Sequence, residues 1–187
     1  MMRGRQQARR EERQQERDTF GRRGTPVRYK VRQRMVAIGD DFWIEDGDGR
    51  RAYKVDGKAL RIRKTLLIED AQGQPQCRVQ ERMLRVRDTM EIEGPDGGTL
   101  ATVRKALITP VRDRWTVKVG DGPDLEVQGN ILHHEYTIGD GDRKIAEVSK
   151  KWFRLRDQYG VAVEPGQNDG LILAVAIVID MMAHGGR

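Results

Sequence analysis

Residues 171–179, LILAVAIVI, are nine apolar residues in succession in a chain that is 34% charged. A helix apolar on every side either crosses a membrane or fills the middle of a protein. Length separates the two. A bilayer span takes about 20 mostly apolar residues and crosses ~30 Å of hydrocarbon. Here Asp180 closes the run, and only Met181, Met182 and Ala183 extend it. A helix over residues 169–183 reaches roughly 22 Å. No Trp or Tyr belt flanks it, and only Arg187 lies beyond it as a basic residue. Asn168 or Asp169 can cap its start and Gly185 can end it. The run is therefore expected to be a buried core helix rather than a tail anchor. Whatever surrounds it must present an apolar inner face.

Residues 26–167 have the complementary texture. Short alternating runs are broken by Gly/Asp turns: DGDG at 46–49, AQGQP at 71–75, GPDGG at 94–98, GDGPD at 120–124 and GDGD at 139–142. Such turns suit antiparallel hairpins, because Gly and Asp tolerate the φ values that tight hairpins demand. DGDG is not an EF-hand loop, since the spacing differs and no Glu stands at the closing position. The strands that open the hairpins repeat. They read DDFWI from Asp40, KTLLI from Lys64, DTMEI from Asp88, DRWTV from Asp113, HEYTI from His134 and DQYGV from Asp157. Each carries a large apolar or aromatic residue two places on and a β-branched residue four places on. The spacings are 24, 24, 25, 21 and 23 residues. This is a degenerate internal repeat of one hairpin. The two apolar positions share one face of a strand.

One strand before the first repeat, five hairpins and one strand after Asp157 make about twelve. A long run of antiparallel strands loses its exposed edges by closing into a barrel. A barrel of this size is wider than its own side chains can fill. The expected fold is mostly β with one buried helix: a closed, about twelve-stranded antiparallel β-barrel around the hydrophobic C-terminal helix. Three stretches carry a resemblance to a known family: YKVRQRMVAIGDDFWIEDGDGRRAYKVDGKAL, EYTIGDGDRKIAEVSKKWFRLRDQYGV and DGLILAVAIVID. In that order along one chain they resemble the LURP-one-related family of the tubby C-terminal-like superfamily, which also includes relatives of phospholipid scramblases. The resemblance covers roughly residues 27–183. It implies a twelve-stranded barrel around a C-terminal helix and, through tubby proteins, phosphoinositide binding. No single motif transfers a lipid site residue by residue.

The chain has 187 residues, in keeping with one domain and a core able to fold alone. Its net charge of +6 is uneven. Residues 1–24 carry eight Arg against four acids and almost nothing apolar, so they cannot build a core. The expected organisation is a basic Arg/Gln-rich arm over 1–25, disordered or an exposed helix, and a barrel domain over 26–187. One cysteine, Cys77, excludes an internal disulfide framework. Residues 1–20 contain no apolar signal-peptide core. Together these give the expectation of a cytoplasmic location, peripheral to a membrane at most.

Catalytic chemistry finds little support. Ser149 is the one serine, in the strand pattern KIAEVSKKW without a nucleophile elbow. Cys77 reads as a half-buried strand residue. If 131–138 is a strand, His133 and His134 point to opposite faces and do not form a metal site by themselves. There is no Walker A sequence and no dinucleotide fingerprint. No enzymatic activity, cofactor or metal is expected. The best binding candidate is electrostatic. In VRYKVRQRM the cations Arg28, Lys30, Arg32 and Arg34 alternate with other residues and so share a strand face, ~6.6 Å apart. Arg61 and Arg63, Arg85 and Arg87, and Arg154 and Arg156 recur near corners between hairpins. Such cations suit phosphates or lipid headgroups. The expected function is a non-enzymatic binding or scaffold domain recognising anionic phospholipid at a membrane surface. The alternatives are nucleic-acid binding through the arm and the basic strand, or a protein-interaction module docking on a larger assembly. Lipid scrambling rests on resemblance alone, and the short helix argues against it.

Overall fold

A computed structural model describes residues 24–32, 41–57, 65–80, 89–109, 112–120, 122–141, 143–153 and 157–184. The arm over residues 1–25 lies outside the described residues except for its last two, as does Gly185. The described residues form twelve strands: β1 Val27–Arg32, β2 Phe42–Asp46, β3 Arg51–Asp56, β4 Thr65–Asp70, β5 Pro75–Gln80, β6 Thr89–Glu93, β7 Thr99–Thr109, β8 Arg112–Val119, β9 Leu125–Asn130, β10 Glu135–Asp140, β11 Arg143–Ser149 and β12 Gln158–Val163. Each pairs antiparallel with its neighbours in the chain, and β1 pairs with β12 to close the barrel. One helix, α1 Asp169–His184, follows.

The hairpin repeat is visible in the backbone. Its twelve apolar positions, from Phe42 and Ile44 to Tyr159 and Val161, are all between 0 and 8% exposed. The turns also repeat. In DGDG, Asp46 Oδ1 accepts from the backbone N–H of Asp48 and Arg50, and Gly49 N–H donates to Asp46 O. In the next hairpin Asp70 Oδ1 accepts from Gln72 and Gln74, and Gly73 donates to Asp70 O. Gly49 and Gly73 have φ of 78° and 79°, a left-handed conformation that side chains rarely adopt. The pairing register shifts at Ile44/Glu45, Ile68/Glu69, Ile92/Glu93 and Ile138/Gly139. Such a bulge before each tight turn adds the twist that curves the sheet toward closure.

The apolar run fills the lumen. Residues 170–180 of α1 are all buried. Asn168 caps the helix, its Oδ1 accepting from Leu171 N–H at 3.0 Å. At the start, Gly170 lies beside Tyr53 and Gln76, and Asp169 accepts a hydrogen bond from the Tyr29 hydroxyl. Burial, and then that bond to Asp169, push the Tyr29 phenol upward, so it stays a donor. At the other end, His134 Nε2 lies 2.6 Å from Asp180 Oδ1 and its ring stacks on Tyr159. The helix thus enters at the end carrying the hairpin turns and finishes at the end carrying the corners. Among the described residues no helix is long and apolar enough to cross a membrane. The outer strand positions carry charges such as Lys54, Glu69, Arg104, Lys118 and Glu147, unlike the apolar outer band of a membrane-spanning barrel.

The structure corrects two details. Cys77 is fully buried at 2% exposure rather than half-buried, and burial pushes its thiol up to about 11. Residues 131–133 form a 3-10 turn rather than strand, capped by Asn130, and His134 follows in the left-handed region with φ of 53°. The opposite-face argument for His133 and His134 therefore does not apply. Central burial also has an energetic consequence. Ile177 is 1% exposed, inside the all-apolar stretch 171–179. Ile177→Asp should cost at least about 4 kcal/mol and lower the melting midpoint by roughly 8–16 °C. Ile177→Val should cost about 1 kcal/mol. Equal midpoints for the two variants in thermal melts would contradict the burial.

Candidate functional site

The basic strand is β1. Its Tyr29 and Val31 point inward, while Arg28, Lys30 and Arg32 share the outer face. Their surroundings differ. Lys30 forms an ion pair with Glu45 on β2. Across the seam to β12, Arg28, Lys30 and Arg32 stand opposite Ala162, Gly160 and Gln158, so no acid stands directly opposite them on β12. Arg28 and Arg32 are exposed. Of the sequence-proposed cations, the structure brings these three together. Arg34, Arg61, Arg63, Arg85, Arg87, Arg154 and Arg156 lie outside the described residues.

Aromatic groups join this face from the segment after β11. The Arg28 guanidinium lies over the Trp152 ring, 5.0 Å from its centroid. Gly160 makes this possible. A Cβ built there would sit 2.3 Å from Trp152 Cε3 and 3.0 Å from Phe153 Cε2, so a bare backbone lets both rings lie on the sheet. Glu135 anchors the start of the segment. It accepts from Ser149 Oγ and Lys150 N–H at 3.0 Å and pairs with Lys151 Nζ at 3.4 Å. Burial alone pushes the Glu135 carboxyl upward, but these partners outweigh it and hold it below its usual range. Ser149 is thereby used as a structural donor to a carboxylate, at 3% exposure. The result is an outer patch of Arg28, Arg32, Lys150, Lys151, Trp152 and Phe153.

A second polar group lies inside, at the corner end. His134 Nε2 is 2.6 Å from Asp180 Oδ1, and His184 Nδ1 is 3.0 Å from the same oxygen. Among the described residues this is the group with metal-ligand chemistry, its ligand atoms all within 4.8 Å of one another. At the opposite end a pocket of about 180 Å³ is lined by residues including Asp140, Arg143, Gln167 and Asn168. Three of these are engaged, because Arg143 binds Asp140 at 2.6 Å and Asn168 caps α1.

The barrel matches known proteins. The family model described as LURP-one-related matches residues 27–180. The chain belongs to the LURP-one-related family. The uncharacterised protein YxjI of Bacillus subtilis is 25% identical over 154 residues, 82% of this chain and 92% of that one. An X-ray structure of a protein from Arabidopsis thaliana superposes with a TM-score of 0.61 at 18% identity, covering 83% of this chain and 90% of that one. At that identity the likeness speaks for the fold. The family barrel runs from the start of β1 to Asp180, so both polar groups just described fall within it or at its edge.

Sequence reasoning passed over Trp152 and Phe153, although KKWFRLR places aromatics inside a basic run. It also passed over the pairing of Asp180 and His184, which stand four apart on one helix face. The Gly160 platform is directly testable. Gly160→Val should expel Trp152 from the sheet, shift its emission to longer wavelength and cost about 1–3 kcal/mol. The same substitution in a Trp152→Phe background should leave the emission of the remaining tryptophans unmoved. An unshifted Gly160→Val spectrum would mean that Trp152 does not lie on Gly160.

Proposed function

We propose that this LURP-one-related barrel is a non-enzymatic module that docks on anionic phospholipid surfaces through the outer face of β1 and the segment after β11. The observation that carries the reading is the Arg28–Trp152 stack. Two exposed arginines, Arg28 and Arg32, face a strand without acids, beside two lysines and two half-exposed aromatic rings. Tryptophan beside cations suits the headgroup level of a bilayer, where an amphipathic ring is half in water and half in acyl chain. Each cation near an anionic surface contributes about 1 kcal/mol, within a Debye length. The barrel itself stays intact on docking, since its helix is committed to the lumen. An Arg-rich arm over residues 1–24 adds charge to the same encounter.

Sedimentation with vesicles tests this reading. Vesicles containing phosphatidylserine or a phosphoinositide should retain the protein, and vesicles of phosphatidylcholine alone should not. Retention should fall as salt rises. Arg28→Glu with Arg32→Glu should weaken it by at least about 30-fold, and Trp152→Ala should weaken it without altering the salt dependence. Deletion of residues 1–24 separates the contribution of the arm. Binding unchanged in all these variants would remove the patch from the account. A wild-type protein that ignores vesicles but retards duplex nucleic acid would move the conclusion to nucleic-acid binding. Silence in both assays would favour a protein partner.

A further inference from the structure

Asp180 is the charged residue within the buried stretch of α1. A carboxylate in such a place ordinarily requires a cation or a full set of donors. Its partners among the described residues are two imidazoles. His134 is 1% exposed, stacks on Tyr159 at 4.5 Å between centroids and reaches Asp180 from a left-handed backbone. His184, one helical turn beyond Asp180, lies parallel to the His134 ring at 5.2 Å. Three buried polar atoms at this end have no hydrogen-bond partner among the described residues, His134 Nδ1, the Tyr136 hydroxyl and Trp115 Nε1. One carboxylate and two imidazoles thus converge at the foot of an otherwise apolar core. We propose that His134, Asp180 and His184 form a binding site for a divalent transition ion of the zinc class, which fastens the C-terminal end of α1 to the 3-10 turn over Ile131–His133.

The donor set selects the ion. Two imidazoles and one carboxylate suit zinc, cobalt or nickel, while calcium and magnesium prefer all-oxygen shells. The geometry is close to what such an ion needs. Ligands held at about 2.0–2.2 Å from a tetrahedral centre lie roughly 3.3–3.5 Å apart. The present separations of 2.6 and 3.0 Å must therefore open by less than about 1 Å. His184 supplies the movement. It sits in the last turn of α1 with its side chain 26% exposed, and must swing from its stack so that both ring planes meet the ion. Coordination through His134 Nε2 displaces its hydrogen bond to Asp180, and the ring proton moves to Nδ1. The fourth position is left to water on the exposed side of His184. His184 Nε2 already approaches Leu132 O at 3.4 Å, so the ion would join helix and turn where they touch.

The test uses the untagged full-length protein, stripped with a chelator and titrated with Zn²⁺ or Co²⁺. Wild type should take up Co²⁺ with the visible absorption of a low-coordinate nitrogen and oxygen shell. Saturating Zn²⁺ should raise the melting midpoint by about 5 °C or more. His184→Ala, at the helix end, should lose both responses when compared with its own metal-free form. Asp180→Asn should lose them too. His133→Ala, the exposed neighbour outside the site, should keep both. Absence of both responses in wild type overturns the proposal. So does a His184→Ala variant that responds like wild type, because the ion then sits elsewhere. Loss of response in His133→Ala alone would likewise assign the ion to the surface. None of these outcomes depends on lipid binding.

Discussion

A ring of twelve strands encloses more space than its own side chains can occupy, and the fold depends on how that space is filled. Eight strands suffice for a lumen that side chains close by themselves. Here the filling is α1, whose residues 170–180 are buried whatever direction they face. The strands answer with two inner rows. The row nearer the hairpin turns is β-branched, as in Ile44, Ile68, Ile92 and Ile138. The row nearer the corners is larger and includes Trp115, Tyr136 and Tyr159. Barrel and helix therefore have no independent stable form. Without the helix the barrel's inner face has no partner, and without the barrel the helix is an exposed apolar rod.

Much of this was legible because two periodicities were unusually clear. The all-apolar run stopped at Asp180, too short for a bilayer, and the hairpin repeat put its two apolar residues on one face six times over. Glycine and aspartate marked the turns, and those at 46–49, 71–75 and 94–98 are closed by backbone hydrogen bonds. The details that escaped have local causes. Ile131–His133 look like strand because Ile and Leu are apolar, yet Asn130 Oδ1 accepts from His133 N–H and closes a 3-10 turn instead. Cys77 gave no sign of its depth, because one inward position on β5 looks like any other.

The candidate site was legible only in part. Alternation of Arg28, Lys30 and Arg32 fixed their common face. Alternation could not reveal that Glu45 would engage Lys30 while Arg28 and Arg32 had small or neutral neighbours across the seam. That distinction comes from register, which depends on closure between the first and last strands. The same closure brings Arg28 over Trp152. Likewise, His134 and Asp180 are 46 residues apart in the chain, and only threading the helix through the barrel brings them together. The rigid core thus places its chemistry at the periphery: a basic and aromatic patch at the β1–β12 seam and an imidazole–carboxylate cluster at the end of the helix.

The central claim is that α1 is the innermost element and is released only when the barrel opens. Native-state hydrogen exchange measures this residue by residue. The amides of residues 173–180 should fall in the slowest class, exchanging at the rate of global unfolding together with the inner strands β4 and β6. Exchange of those amides well ahead of the strands, in conditions where the barrel persists, would show a helix that leaves its lumen independently and would contradict the account.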